Sequence, residues 1–291
     1  MMVARRKESC CDLHTHSSYS DGSLRPEELV ALAKEANVAA IALCDHNTVA
    51  GLPEFMAAAE GSGVEAVPGV EFSTDYLGLD LHVVMLFVQP QHYDLITKRL
   101  SEMRQAKAEN NQMLVQALRR AGMMVDYEAL LAKATDGYIN RAHIAAELQR
   151  LGYTPSIKEA FATILAPGGE FYTPPKRPDF FETIAFIKSI GGCAVLAHPY
   201  LNLDDAQMEV LLPQAVAAGL DAMETRYARY DAETTSKAMA TAARFGLLES
   251  GGSDFHGANK PDICVGKGQG DLYVPLQILE QLKRHKKVNE S

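Results

Sequence analysis

Apolar and polar positions along this chain fall into blocks that alternate between a strand pattern and a helix pattern. Residues 38–44 form a continuous apolar run bounded by polar residues, as expected of a strand buried on both faces. Just before them, 26–34 repeat apolar residues at helical spacing, with a proline in the first turn and acids early. The rhythm continues with a helix over 52–59, a strand over 64–70 ending in Glu71, and a strand over 81–88 that opens near His82. It then pauses. Residues 93–121 read as one long amphipathic helix, followed by shorter helical pieces at 127–131, 142–151 and 157–165. Ala166-Pro167-Gly168-Gly169 and Thr173-Pro174-Pro175 punctuate the return. Helices at 180–190, 207–218 and 233–245 then alternate with strands at 193–197, 220–224 and 247–250, and a last helix covers 275–284.

Repeated strand-then-helix units predict an α/β fold with a parallel sheet. If that sheet closes into a barrel, chemistry gathers at the carboxyl ends of its strands. On this reading residues 9–99 and 166–286 build a discontinuous barrel, and 100–165 form a helical insertion covering the active site.

Composition narrows the function. The chain has 291 residues, enough to bury a core, with 47% hydrophobic and 22% charged content. Its net charge of −9 argues against broad adhesion to duplex DNA or an anionic membrane. No segment is long and apolar enough to span a bilayer, and no apolar run follows Arg5-Arg6-Lys7 as a signal peptide requires. Five cysteines, without C-x-x-C spacing, indicate neither a disulfide framework nor a structural zinc site, and they fit a reducing cytoplasm.

The candidate chemistry changes the picture most. His14 and His16 lie two apart on a strand and project side by side. His46, Glu71, His198, Asp254 and His256 also fall at or just past a predicted strand end, and only His82 opens its strand. Singly each has an ordinary reading: a core histidine for His82, a turn cap for Asp254. Together they converge on one barrel face. Imidazoles and carboxylates without thiolate suit manganese, iron or zinc better than calcium. Glu71 could bridge two ions, and ions about 3.5–4 Å apart clamp a phosphoryl group. Asp12 and Asp45 are candidates for orienting a ligand histidine.

The series His14-Thr15-His16 with Ser20-Asp21-Gly22, Asp45-His46, Gly69-Val70-Glu71, His82, Ala197-His198-Pro199 and Gly252-Ser253-Asp254-Phe255-His256 resembles the PHP (polymerase and histidinol phosphatase) family. The resemblance implies a distorted seven-stranded (β/α) barrel holding two or three divalent ions and hydrolysing phosphoesters. By it, His14, His16, Glu71 and Asp254 hold one ion and the attacking hydroxide. Glu71, His82 and His198 hold a second ion, and Asp21, His46 and His256 a third. Manganese is the first choice of metal, with iron and zinc as alternatives.

Asn140-Arg141-Ala142-His143 resembles a segment of the subgroup containing 3′,5′-nucleoside bisphosphate phosphatases and 5′→3′ exoribonucleases of the RNase AM type, although that subgroup commonly has Pro where Ala142 stands. His143 is also an alternative to His198 as a metal ligand. Arg141 and His143 open a predicted helix, a favourable seat for phosphate, which Lys176, Arg177 and Arg226 could complete. The expected reaction removes the 3′-phosphate of a nucleoside 3′,5′-bisphosphate to leave the 5′-monophosphate. Trimming of short 5′-phosphorylated single-stranded RNA is open to the same site. The rivals are a histidinol phosphate phosphatase, a non-catalytic metal-binding PHP module, and an amidohydrolase, whose barrel and ligands are compatible with the same residues.

Overall fold

A computed structural model describes residues 9–134, 139–173 and 177–289. Seven strands form one sheet in sequence order: β1 (Cys10–Thr15), β2 (Val38–Leu43), β3 (Glu65–Tyr76), β4 (Leu79–Leu86), β5 (Cys193–Leu196), β6 (Ala222–Tyr227) and β7 (Leu248–Gly252). The sheet curls until its edges meet. Asp254 N donates to His14 O at 2.8 Å and His16 N to Phe255 O at 2.9 Å. The β7 exit thus lies along β1 with a bridge between Thr15 and Phe255 rather than a ladder. The result is a nearly closed, distorted barrel. Gly252 permits that approach, since a Cβ there would come within 2.5 Å of His14 N.

The sheet is mixed, not parallel throughout. β3 runs past Glu71 to Tyr76 and turns directly into β4, and β4 is antiparallel to both β3 and β5. The hairpin explains the anomalous position of His82. An antiparallel strand begins at the barrel end where parallel strands finish, so the first residues of β4 share the mouth with the last residues of the others.

Around the barrel lie α1 (Pro26–Glu35), α2 (Leu52–Ala59), α7 (Phe180–Ser189), α8 (Asp205–Ala218) and α9 (Ala232–Arg244), packed on the outward strand residues Ile41, Phe72, Met85 and Met223. A second cluster fills the interior with Leu13, Ala42, Val67, Val84, Val195 and Ala222, joined by Ile278, Leu279 and Leu282 of α10 (Leu276–Asn289). Between β4 and α7 come α3 (Tyr93–Arg120), α4 (Tyr127–Leu131), α5 (Arg141–Arg150) and α6 (Ile157–Ala162). These helices share a separate apolar cluster running from Leu114 to Tyr172. α3 is common to both bodies: Ile96 and Leu100 pack in the barrel's outer layer, while Leu114 and Leu118 pack in the helical one. No described helix is long and apolar enough to cross a membrane.

Candidate active site

Inward rows of the strands change character along the barrel axis. Val67, Gly69 and Glu71 share one face of β3 by the two-residue period, as do Leu86, Val84 and His82 of β4 and Ala222 and Glu224 of β6. Each row begins apolar, inside the core, and ends in an ionisable group at the mouth. On β1 the pairing register shifts between Asp12 and Thr15. Beyond that shift both His14 and His16 reach the same centre.

Glu71 is that centre. Its carboxylate is fully buried, and five imidazoles surround it. Oε2 lies 3.4 Å from His14 Nε2, 3.3 Å from His16 Nε2 and 2.9 Å from His46 Nδ1. Oε1 lies 2.9 Å from His82 Nδ1 and 3.1 Å from His198 Nε2. Asp254 Oδ1 approaches His16 Nε2 at 3.3 Å and His256 Nδ1 at 3.4 Å. Asp21 reaches His256 Nε2 at 3.2 Å, His46 Nε2 at 3.7 Å and His16 Nδ1 at 3.8 Å. Among the described residues, three groupings place their ligand atoms within metal-binding reach: His14, His16 and Glu71; His46, Glu71 and His82; and His16, Asp21, His46 and His256.

Electrostatics follow from this crowding. Burial alone would raise the Glu71 pKa, but the charges of His46, His82 and His14 outweigh it and hold the carboxyl well below its usual range. Asp21 and Asp254 are depressed against burial in the same way, by His256 and His46 and by Lys260 and His256 respectively. For His82, burial is overcome by the charge of Glu71 and the bond to Asp80, which lift it to about 10. His16 goes the other way, pushed well down by burial and by His256 and His46.

Residues outside the ligand set hold it in place. Glu224 is the partner the sequence reading missed. Its Oε1 lies 2.7 Å from His14 Nδ1, and its Oε2 accepts from His198 N at 2.7 Å. One buried carboxylate therefore fixes a candidate ligand on β1 and the backbone after β5, where His198 takes a left-handed φ of 31°. Tyr227 OH donates to Asp254 Oδ2 at 2.9 Å and Lys260 Nζ pairs with it at 2.6 Å, which leaves Oδ1 toward the histidines. Asp12 and Asp45, expected to orient ligand imidazoles, instead tie down loops. Asp12 accepts from Ser253 N, Ser253 Oγ and Gly266 N, securing the turn that carries Asp254. Asp45 accepts from Ser17 N, Ser17 Oγ and Ser20 Oγ, securing the turn that carries Asp21.

The helical segment faces this cluster across a cavity of about 150 Å³ lined by Asp21, His46, His82, Lys107, Arg141, Tyr172 and Arg177, among others. Asn140 caps α5 by accepting from Ala142 N and His143 N, and its Nδ2 donates to Ser20 O at 2.9 Å, joining helix to barrel. The Arg141 guanidinium lies 4.2 Å over the Tyr172 ring and 5.4 Å from that of Phe161, and donates to Leu165 O. Arg177 pairs with Asp80 at 2.8 Å, and Asp80 with His82 Nε2 at 3.3 Å. The other expected contacts lie elsewhere. His143 Nδ1 accepts from Asn140 N in a capping box, while His198, not His143, stands against Glu71. Arg226 lies 3.6 Å from Glu249 on the neighbouring strand and does not line the cavity. Lys176 lies outside the described residues.

The donor set fits divalent metal. Glu71 Oε2 is buried without an aligned hydrogen-bond partner among the described residues, as are His46 Nδ1 and His198 Nδ1. A stranded acceptor ringed by imidazole nitrogens is satisfied by a cation, and ligands of this type are those of manganese, iron and zinc.

A nearly closed β/α barrel with such a mouth defines a metal-dependent hydrolase. Residues 12–167 match the PHP domain, and the protein belongs to that family. A 5′-3′ exoribonuclease of Haemophilus influenzae is 34% identical over 84% of this chain and 89% of its own length. A 3′,5′-nucleoside bisphosphate phosphatase of Chromobacterium violaceum is 30% identical over 88% of this chain and 90% of its own. Among solved structures, one from Bifidobacterium adolescentis, designated a metal-dependent phosphoesterase, superposes with a TM-score of 0.83 at 27% identity, covering 94% of this chain and 95% of that one. Family, fold and site together make this protein a metal-dependent phosphoesterase.

Proposed function

We propose that the protein hydrolyses the P–O3′ bond of nucleoside 3′,5′-bisphosphates, releasing the 5′-monophosphate, and removes nucleotides from the 5′ end of short 5′-phosphorylated RNA by the same step. The observation that carries this reading is the facing pair across one cavity: the Glu71-centred cluster on the barrel and Arg141 on the helical segment. A substrate with two phosphates has one anionic group for each wall. Two or three divalent ions, manganese first, would acidify water and offset phosphoryl charge at the cluster.

The chain's own residues supply the rest. Arg141, stacked on Tyr172, presents N–H groups to the 5′-phosphate, a contact whose geometry the ring fixes in advance. Arg177 stands one ion pair from His82 and can meet the reacting phosphate. Asp254, with Oδ2 taken by Tyr227 and Lys260, offers only Oδ1 to metal. The named relatives act on a nucleoside bisphosphate and on RNA, in keeping with a small phosphorylated nucleotide as substrate. Five free thiols, three of them buried, suit the cytoplasm.

The test is phosphate or nucleotide release from a panel of histidinol phosphate, nucleoside 3′-monophosphate, nucleoside 3′,5′-bisphosphate and 5′-phosphorylated oligoribonucleotide. The bisphosphate should be preferred to the 3′-monophosphate. Arg141→Ala should lower kcat/KM roughly 10- to 150-fold on the bisphosphate, the worth of one charge-assisted contact, and leave the 3′-monophosphate nearly unchanged. Equal losses on both would show that Arg141 does not read the 5′-phosphate. Preference for histidinol phosphate would replace the reading altogether.

A further inference from the structure

A second and larger concavity, about 770 Å³, opens beside the first. Arg177 lines both, and α3 runs along both, with Lys98 and Arg99 in the groove and Lys107 in the smaller cavity. At ~1.5 Å per helical residue the span from Lys98 to Lys107 is ~14 Å, the length of about four stacked nucleotides at ~3.4 Å each. Among the described residues the groove's charged lining is cationic, although the chain carries −9 overall. Lys98 and Arg99 are exposed, and Arg99 lies 5.1 Å over the half-buried ring of Phe186, with Glu182 4.0 Å away. Leu95 and Phe72 complete a floor that is apolar beneath charge. A basic track of this kind is the surface that the backbone of a single-stranded nucleic acid takes, by phosphate contacts.

We propose that this groove carries the downstream segment of a single-stranded RNA whose first nucleotide occupies the cavity, an assignment that rests on the phosphoesterase reading above. The chemistry requires such an exit. Water adds to phosphorus, the P–O3′ bond breaks, and the proton ends on the departing 3′-oxygen. The phosphate stays on the 5′-oxygen of the following residue, so the remaining chain again begins with the 5′-phosphate that Arg141 reads. That chain must leave from the reacting phosphorus, on the metal side of the cavity. The groove begins there, because Arg177 joins it to His82 through Asp80. A bisphosphate has no downstream residue and leaves the groove empty.

The charge-reversed K98E/R99E variant of the full chain, loaded with Mn²⁺, separates the two claims. Its KM for a 5′-phosphorylated oligoribonucleotide should rise roughly tenfold or more, and the salt slope of binding should shrink by about 1.4, roughly 0.7 per lost phosphate contact on a single strand. Its kcat/KM on the nucleoside 3′,5′-bisphosphate should stay within about twofold, with an unchanged Tm. Unchanged kinetics on both substrates would overturn the groove and leave the phosphoesterase reading standing. Equal losses on both would also overturn it, since Lys98 and Arg99 would then serve the common step. If the wild type cleaved neither substrate, the underlying reading would fall and the groove with it.

Discussion

Two buried carboxylates mark the two ends of the barrel, and they are treated in opposite ways. Asp221, just ahead of β6, is saturated: Lys188 Nζ at 2.6 and 2.8 Å, Ala194 N at 2.8 Å and His285 Nε2 at 2.9 Å close around it. It joins α7, β5 and α10, which is a structural task. Glu71, near the opposite rim, is surrounded by more nitrogen yet keeps one oxygen without an aligned donor. A protein rarely leaves a buried acceptor so placed without a ligand to complete it. The amino-terminal end of this barrel is finished by its own side chains; the carboxyl end is the one we propose a metal ion completes.

Exchanging charge for a neutral isostere at each end breaks that comparison most sharply. Glu71→Gln should lose metal, assayed by metal content after gel filtration, and more than about 100-fold of turnover, exceeding what a partner outside the ligand shell costs. Asp221→Asn should do the reverse, losing about 2–3 kcal/mol of stability by denaturant titration while folded molecules turn over normally. If the two variants behaved alike, the distinction between the ends would be wrong.

Glu224 sharpens the comparison, because it is saturated like Asp221 but sits at the metal end. Glu224→Gln keeps the shape, yet one of its two bonds, to His14 Nδ1 or to His198 N, must weaken. Mn²⁺ affinity by calorimetry should fall roughly 10- to 100-fold, with activity recovering at high metal concentration. An unaltered affinity would make Glu224 a packing residue only.

Much of this was legible in the sequence, for physical reasons that can be named. Strands such as 38–44 announce themselves because both faces are buried, and the barrel rule then selects histidines at their ends. His82 looked misplaced because a pattern of apolar residues does not report strand direction; the hairpin between β3 and β4 does. Glu224 gave no signal. A single acid inside Ala222–Tyr227 looks like any strand carboxylate until its neighbours across the barrel are known. Lys260 reaches Asp254 only because of how the 254–260 turn folds, and Tyr172 meets Arg141 from 31 residues away. Arg226 stood next to a predicted strand end, but β6 continues through it with a register shift after Glu224, and its side chain stays beside Glu249. Strand-end position finds the side chains gathered around Glu71 well and finds the residues that hold them poorly.

The smallest expected effect is a difference in pH slope between the two states of the metal end. In the metal-free protein His82 rises from the ordinary 6.5 to about 10, burial being outweighed by Glu71 and Asp80, and His14 is raised by Glu224 and Glu71. A raised imidazole binds its proton more tightly folded than unfolded. The stability it contributes is complete below pH 6.5 and is lost as pH climbs toward 10. Each such histidine can tilt the unfolding free energy downward by at most about 1.4 kcal/mol per pH unit in that window. His16, driven down by burial and its neighbours, is neutral throughout and adds nothing there. With Mn²⁺ bound the sign should reverse or vanish, since the metal needs the same nitrogens deprotonated and gains as protons leave. Denaturant melts of the chelated and Mn²⁺-loaded protein at pH 7, 8 and 9 should therefore give lines of different slope, falling without metal and flat or rising with it. Parallel lines would mean that protons and metal do not compete for the nitrogens around Glu71, and the mouth would then be, like Asp221, a network complete in itself.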